Sequence, residues 1–339
     1  MSARAGTGGA GAGRMAAVPA VDVLLVSLGG TTGLREADAE LAGSMRRAGA
    51  SVAVAPVARV REWRTMAGID LAWALSARRV AAAAMTVWHP QAVLYSTTTA
   101  ALLWPQPGAI RFDAPAAGNR PARHGIWQRP VERRRLAAAP LLVPWSAGGL
   151  AEAPRPRADA VVVPVGVAPS GPASGPRDLA AITYGANPEK KGLDCVLAAW
   201  RAARRAGETL VVAGLAGERE DGIRYAGHLD RAAYRALLRR ARLFVTAPRR
   251  EDYGIAQLEA LADGCLLVTT AAPGPYAALP LARRLDPRLV GDDLARAIRT
   301  GLDNPLPSYA DAAREALAPY SPASVDAVVA GELLPRLLA

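Results

Sequence analysis

The feature that most constrains this chain is an alternation of short β-prone runs, glycine-bearing turns and helical patterns, run through twice. Residues 21–27 read as a buried strand that passes straight into Gly29-Gly30-Thr31-Thr32-Gly33. A helical pattern follows over 36–48, with Leu41 and Met45 on its apolar side and Gly49 at its end, and residues 51–55 form the next strand. Strand, glycine turn, helix and strand make a βαβ unit. Residues 70–84 read as a helix, 91–96 and 109–113 as strands, and 141–146 and 160–167 as strands closing the first series. A Pro/Gly/Ser-rich stretch over 169–176 breaks the pattern. A second series then opens with a strand over 181–185, the turn Asn187-Pro188-Glu189-Lys190-Lys191-Gly192, and apolar residues at helical spacing in Leu193, Val196, Leu197 and Trp200. Further strands are expected over 209–214 and 243–246, separated by a helix that Asp230 caps. At 339 residues the chain suits two domains of ordinary size.

The chemistry concentrates in residues 249–264, where a strand gives way to a charged turn and then a helix. Ile255, Leu258 and Ala262 are three and four apart, and Gly264 is placed to cap the end. Glu251 falls in the turn and Glu259 on the helix, eight positions on. On one continuous helix that spacing would separate the carboxylates by roughly 12 Å along the axis. With Glu251 in the loop, both can line one pocket mouth. Carboxylates accept hydrogen bonds from sugar hydroxyls, and the amides of Gly254 and Ile255 at a helix start suit phosphate. Each glutamate taken alone also reads as an ordinary solvated charge near a helix start.

Glu251, Gly254, Glu259, Ala260, Ala262, Gly264 and Val268 together closely resemble the donor-site signature of retaining GT-B glycosyltransferases, specifically glycosyltransferase family 4. The resemblance is strong over 180–330 and topological over 20–168. It implies an α/β chain of GT-B fold, two Rossmann-like β/α/β domains facing across a cleft. The implied division is a disordered leader over 1–19, an acceptor domain over 20–168 and a linker over 169–178. A nucleotide-sugar donor domain over 179–318 and a C-terminal helix over 319–339 that crosses back complete it. Met15 is a second candidate start.

The resemblance also implies roles. Glu259 would hold the ribose hydroxyls of the donor and Glu251 the hydroxyls of the transferred sugar. Lys191, the lysine of the family's G-R-x-x-x-x-K-G turn, would neutralise the leaving diphosphate with the Gly254 and Ile255 amides. Ala186 stands where that turn usually has its arginine, so Lys190 or Arg250 is expected to supply the missing charge. Tyr253 falls within the same donor stretch. Gly227, His228 and Leu229 match the segment bordering the base, and Gly29 and Gly30 resemble a phosphate or substrate loop. As turn glycines, those two also read simply as a position needing positive φ. Asp113 occupies the place where many family members carry a histidine under the donor sugar. It would act as a base or acceptor ligand, or it caps the turn before Ala114-Pro115.

The implied activity is hexosyltransferase-like, with retention and without metal, since no Asp-x-Asp occurs in the sequence. No cofactor is expected, the nucleotide sugar being substrate. The acceptor is a glycan, lipid or small molecule read by the N-terminal half. Alternatives are a GT-B nucleotide-sugar epimerase, or a nucleotide-sugar-binding protein without turnover. An NAD-dependent oxidoreductase fits less, because the G-x-G-x-x-G spacing is missing.

The net charge of +11 calls for an anionic partner. No zinc-finger spacing, RNP-like pattern or long basic run supports nucleic acid. Residues 120–135 hold six arginines with His124 and Trp127, which reads either as a solvated helix face or as an acceptor-phosphate or anionic-membrane patch. Cys195 and Cys265, expected on a helix and a strand, lack metal-type spacing, so a reduced, cytoplasmic and in part membrane-peripheral setting is expected. The Ala, Arg, Gly and Pro abundance fits a GC-rich bacterial genome. Residues 1–20 lack the apolar stretch of a signal peptide.

Overall fold

The computed structural model describes residues 20–60, 65–120, 122–172 and 176–339. The leader expected over 1–19 lies outside the described residues, as does part of the expected linker.

Among the described residues, ten short strands carry the fold. β1 (Val23–Ser27), β2 (Val52–Pro56), β3 (Ala92–Tyr95), β4 (Ala109–Phe112) and β5 (Leu142–Pro144) form one sheet in the order β2-β1-β3-β4-β5. β6 (Leu179–Tyr184), β7 (Leu210–Ala213), β8 (Ile223–Gly227), β9 (Ala241–Thr246) and β10 (Leu266–Thr269) form the other, in the order β10-β9-β6-β7-β8. Every paired strand runs parallel to its neighbour. Parallel strands covered by helices on both faces need continuous apolar runs, and β1 and β7 are buried at every position. Two Rossmann-like domains follow, as the alternation in the sequence requires.

Order within each sheet places the functional ends. In the first sheet the direction of winding reverses between β1 and β3, and in the second between β6 and β9. Loops leaving neighbouring strands at such a reversal point apart and open a crevice at the strands' carboxyl ends, where open α/β sheets hold ligands. The loops after β1 and β3 carry Gly29-Gly30 and Thr97–Thr99; those after β6 and β9 carry Lys190-Lys191 and Arg249–Glu251.

Several elements depart from their expected bounds. The helix expected over 36–48 begins earlier, at Thr32–Arg47, because the Thr31 hydroxyl accepts from the Leu34 amide at 3.2 Å and caps it. The helix expected over 70–84 extends to Met66–Trp88, with Thr65 as its cap. Residues 160–167, expected as a strand, run beside β5 without completing a ladder. Val161 and Val163 donate to Leu142 and Pro144 at 2.9 Å each and Leu142 donates to Asp159 at 2.8 Å, but Pro144 has no N–H to continue the ladder. Cys265 sits just before β10 rather than in it, buried, with its thiol donating to the Leu238 carbonyl at 3.1 Å.

The C-terminal segment packs on the first domain. Val325, Val329, Leu333 and Leu334 join Val23, Leu25, Leu41 and Met45 in one cluster. Asp326 pairs with Arg47 at 2.8 Å and accepts from Ser44 at 2.5 Å. No helix among the described residues is long and apolar enough to cross a membrane.

Candidate active site

The turn after β6 and the turn after β9 are tied together before any side chain is considered. The Arg249 amide donates to the Lys190 carbonyl at 3.0 Å, and the Glu251 amide donates to Pro273 at 3.0 Å. Gly192, at φ +59°, lets the first turn close: a Cβ there would stand 1.9 Å from the Ala247 carbonyl oxygen. The helices that follow, Leu193–Ala203 and Ile255–Ala262, begin at left-handed Gly192 and Gly254 with no side chain capping their first amides. Those amides therefore have no intrahelical partner and bring the positive end of each helix dipole to the crevice.

The two glutamates are built alike. Glu251 is 4% exposed, and its Oε2 takes the Lys191 ammonium at 2.6 Å and the Gln257 amide at 2.9 Å. Glu259 is 6% exposed, and its Oε1 takes the Arg231 guanidinium at 2.8 Å and Arg235 at 3.1 Å. In both, the other carboxylate oxygen accepts no hydrogen bond among the described residues. Each carboxylate is thus anchored by one oxygen to a cation and presents the second. Burial pushes the Glu259 carboxyl up, with Arg235 and Arg231 offsetting only part of the shift.

Lys190 and Arg250 are already engaged. Lys190 pairs with Asp252 at 2.6 Å; Arg250 pairs with Asp252 at 2.8 Å and with Glu152 of the first domain at 2.5 Å. Burial alone would raise Asp252, but Lys190 and then Arg250 hold it below the usual carboxylate range. The charge missing at Ala186 is therefore not supplied by an unpaired Lys190 or Arg250.

The first domain meets this site along the seam. A Cβ on Gly33 would lie 3.6 Å from the Ile255 Cδ1 atom, so the loop of Gly29 and Gly30 opens beside the helix that bears Glu259. Gly29 itself adopts φ +54°, and its carbonyl accepts from Arg35 at 2.8 Å. Arg231 also pairs with Glu36 and so spans both domains. Asp113 follows β4, partly buried, with its carboxylate accepting from the Ala114 amide at 2.7 Å, the turn-capping bond. Its pKa is pushed up to about 6, by burial first and by the charge of Asp252 second, with Lys190 opposing. Arg120, close enough to feel both Asp113 and Asp252, is forked onto Asp70 at 2.9 and 3.2 Å.

Tyr253 is a correction. Placed by the sequence among the donor contacts, its side chain is instead a strut between the domains. It is 2% exposed, its hydroxyl accepts from the Val165 amide at 2.9 Å, and its ring stands edge-on to Trp145 at 5.2 Å. A ring so enclosed leaves only backbone for a ligand. Gly227 ends β8, His228 beside it is exposed, and Leu229 is half-buried against the core of the second domain.

Apart from Lys191, the residues that orient the two carboxylates escaped the sequence reading. Gln257 lies on the motif helix between the two glutamates. Arg231 and Arg235 are four apart on the helix Arg231–Arg240, and the burial of Arg235 within a cationic helix is the one trace they leave.

Residues 179–304, the part that holds both glutamates and Lys191, match the family described as Glycosyl transferases group 1. No curated protein matches the chain. Among solved structures, sucrose-phosphate synthase from Thermosynechococcus elongatus superposes with TM-score 0.71 at 15% identity, covering 94% of this chain and 98% of that one. The Anabaena protein HepE in complex with UDP and glucose gives TM-score 0.65 at 14% identity over 92% of this chain and 99% of its own. WaaG, a glycosyltransferase involved in lipopolysaccharide biosynthesis, gives 0.64 at 13% identity over 92% and 100%. At these identities the likeness establishes the fold, which is GT-B.

Proposed function

We propose that this protein is a retaining, metal-independent glycosyltransferase that moves a sugar, hexose-like in class, from a nucleotide-diphosphate-sugar donor to an acceptor hydroxyl. One observation carries the reading. Two buried carboxylates at the switch point of the second sheet are each anchored through one oxygen and present the other. Such oxygens accept hydroxyl donors from a polyol, and their anchoring cations fix their direction before the ligand arrives. The group 1 match over 179–304 and the UDP and glucose bound to HepE support the same assignment.

In this reading Glu259 receives the donor's ribose hydroxyls and Glu251 those of the transferred sugar. Negative charge develops on the diphosphate as the glycosidic bond breaks. Lys191, together with the Gly254 and Ile255 amides, meets that charge from groups already in place, which is where preorganised donors contribute most. Asp113, in the first domain, would take the acceptor proton or bind the acceptor hydroxyl.

The experiment is a donor screen with UDP-, GDP-, ADP- and TDP-sugars in the presence of EDTA, paired with a direct binding measurement. Nucleotide diphosphate released from one donor by the wild type, and lost in Glu251→Ala and Glu259→Ala, is the expected result. If no nucleotide sugar binds, the transferase reading is wrong. Binding without turnover in the presence of candidate acceptors would assign the chain to a sugar-nucleotide binder instead.

A further inference from the structure

Exposed large apolar side chains are rare on this protein and unevenly placed. Of the seven among the described residues, Met66, Leu71 and Leu75 lie in the first half of the helix Met66–Trp88, Val87 lies near its end, and Ile126 lies beside its start. Ile126 is the most exposed at 70%, against 42% for Leu71 and 39% for Leu75. One contact and the helical spacing put Leu71, Leu75 and Ile126 on one face. The indole of Trp127, next to Ile126, donates to the Ala67 carbonyl at 3.2 Å, and Ala67 precedes Leu71 by one helical turn. Leu71, Leu75 and Arg78 then follow at spacings of four and three along the outer stripe, with Arg79 beside it.

Charge on this part of the chain is one-sided. Residues 65–140 contain nine arginines and three acidic residues. Asp70 and Glu132 are buried, and Asp113 is partly buried in the seam, so no acidic residue of the segment is exposed. Arg78, Arg79, Arg123, Arg133 and Arg134 are exposed. A purely solvated face would not gather apolar side chains. Apolar side chains that can enter hydrocarbon, on a segment whose exposed charges are all cations, match an anionic lipid surface on both counts. We infer that the outer face formed by Leu71, Leu75 and Ile126, with the Arg79 and Arg123 rim, docks the protein peripherally on anionic bilayers. The inference stands apart from the donor-site reading, because none of these residues touches Glu251, Glu259 or Lys191.

The test is flotation of the full chain with vesicles of phosphatidylcholine alone and of phosphatidylcholine mixed with phosphatidylglycerol. The wild type floats with the mixed vesicles only, and added salt weakens the association. Leu71→Ser with Leu75→Ser, and separately Ile126→Ser, lower the partition coefficient about tenfold. Arg79→Ala and Arg123→Ala each lower it about fivefold. Leu306→Ser, which alters an exposed leucine on the second domain, leaves it unchanged. Unchanged melting curves for all variants separate docking from folding. Three outcomes overturn the inference: no flotation, equal flotation on both vesicle types, or variants that convert a dimer to a monomer without altering flotation. The last would give the face to a second copy of the chain.

Discussion

Lys191 reaches Glu251 at 2.6 Å, across two loops that leave adjacent strands of the second sheet in opposite winding directions. The pair has two jobs that can be separated. Removing the ammonium leaves Glu251, 4% exposed, with only the Gln257 amide. Stranding a buried charge in this way costs on the order of 3 kcal/mol. Lys191→Ala should therefore lower both stability and donor turnover. Glu251→Gln should lower kcat/KM on the order of a hundredfold with little loss of stability. Combining Lys191→Met with Glu251→Gln should recover the stability and none of the activity, as read by urea unfolding and donor turnover on the same four proteins. A double variant that regains activity would show the pair to be structural only.

Asp113 gives the reaction a pH limb. Its folded pKa of about 6 is raised by burial and by Asp252, so the carboxylate is protonated below that value and ionised above it. In the proposed reaction it is the base for the acceptor hydroxyl, and a base works only when ionised. Transfer should rise through about pH 6 and level off above it, and Asp113→Asn should remove the limb together with most of the rate. A pH profile that survives the substitution would move the base elsewhere.

The same sign applied to stability singles out Glu132. This buried carboxyl accepts from the Ala116 amide through both oxygens, at 2.9 and 3.1 Å, yet burial raises it to about 7 from 4.5. A group raised on folding favours the native state below its unfolded pKa and loses that contribution as pH climbs through the folded one. For Glu132 the window runs from 4.5 to about 7, with a contribution on the order of 3 kcal/mol. Urea unfolding across this window should show the wild type losing stability as pH rises more steeply than Glu132→Gln. Parallel curves would mean that Glu132 does not titrate there.

Much of this was legible before any coordinates, and the boundary of legibility has a physical cause. Hydrophobic runs and glycine turns are local, so the strands and the placement of Glu251 in a loop and Glu259 on a helix could be read from spacing. Residues 160–167 misled because their apolar pattern is that of a strand, while Pro144 on the neighbouring strand denies the ladder a donor. Tyr253 misled because a side chain's direction depends on the opposite domain, here Val165 and Trp145. Arg231 and Arg235 were invisible for the same reason: their partner Glu259 is 24 or more positions away. Local chemistry is written in sequence, whereas the assignment of cations to carboxylates is settled by packing.

Gly192 and Gly227 both adopt positive φ, and only one should matter for folding. A methyl at Gly192 would meet the Ala247 carbonyl at 1.9 Å, so the turn that carries Lys191 would have to open. Around Gly227 there is nothing within 4 Å, leaving only the left-handed penalty of about 1–2 kcal/mol. Gly192→Ala should cost more than Gly227→Ala by at least about 2 kcal/mol and abolish donor turnover. Denaturant midpoints compare the two directly; equal costs would mean the Gly192 turn relaxes without consequence.

Among the described residues two ion pairs cross the seam, Arg250 with Glu152 and Arg231 with Glu36, and each uses a residue that also touches the carboxylate machinery. Their side chains are partly exposed, so each contributes at most about 1 kcal/mol to stability. Their effect on geometry is larger, because they join bodies otherwise held by the Tyr253 strut and by the C-terminal segment that begins where Val167 donates to the Tyr320 carbonyl at 2.8 Å. Glu36→Gln combined with Glu152→Gln should leave the unfolding free energy within about 1–2 kcal/mol of wild type while raising the radius of gyration in solution scattering. High salt should produce the same expansion in the wild type and none in the variant, since screening removes the same pairs. Donor KM should rise and kcat change little, because Glu251, Glu259 and Lys191, the donor contacts proposed above, all lie on the second domain and the separation of the domains sets how readily they close over the donor. Scattering that is unchanged in the variant would assign closure to Tyr253 and the C-terminal crossing alone.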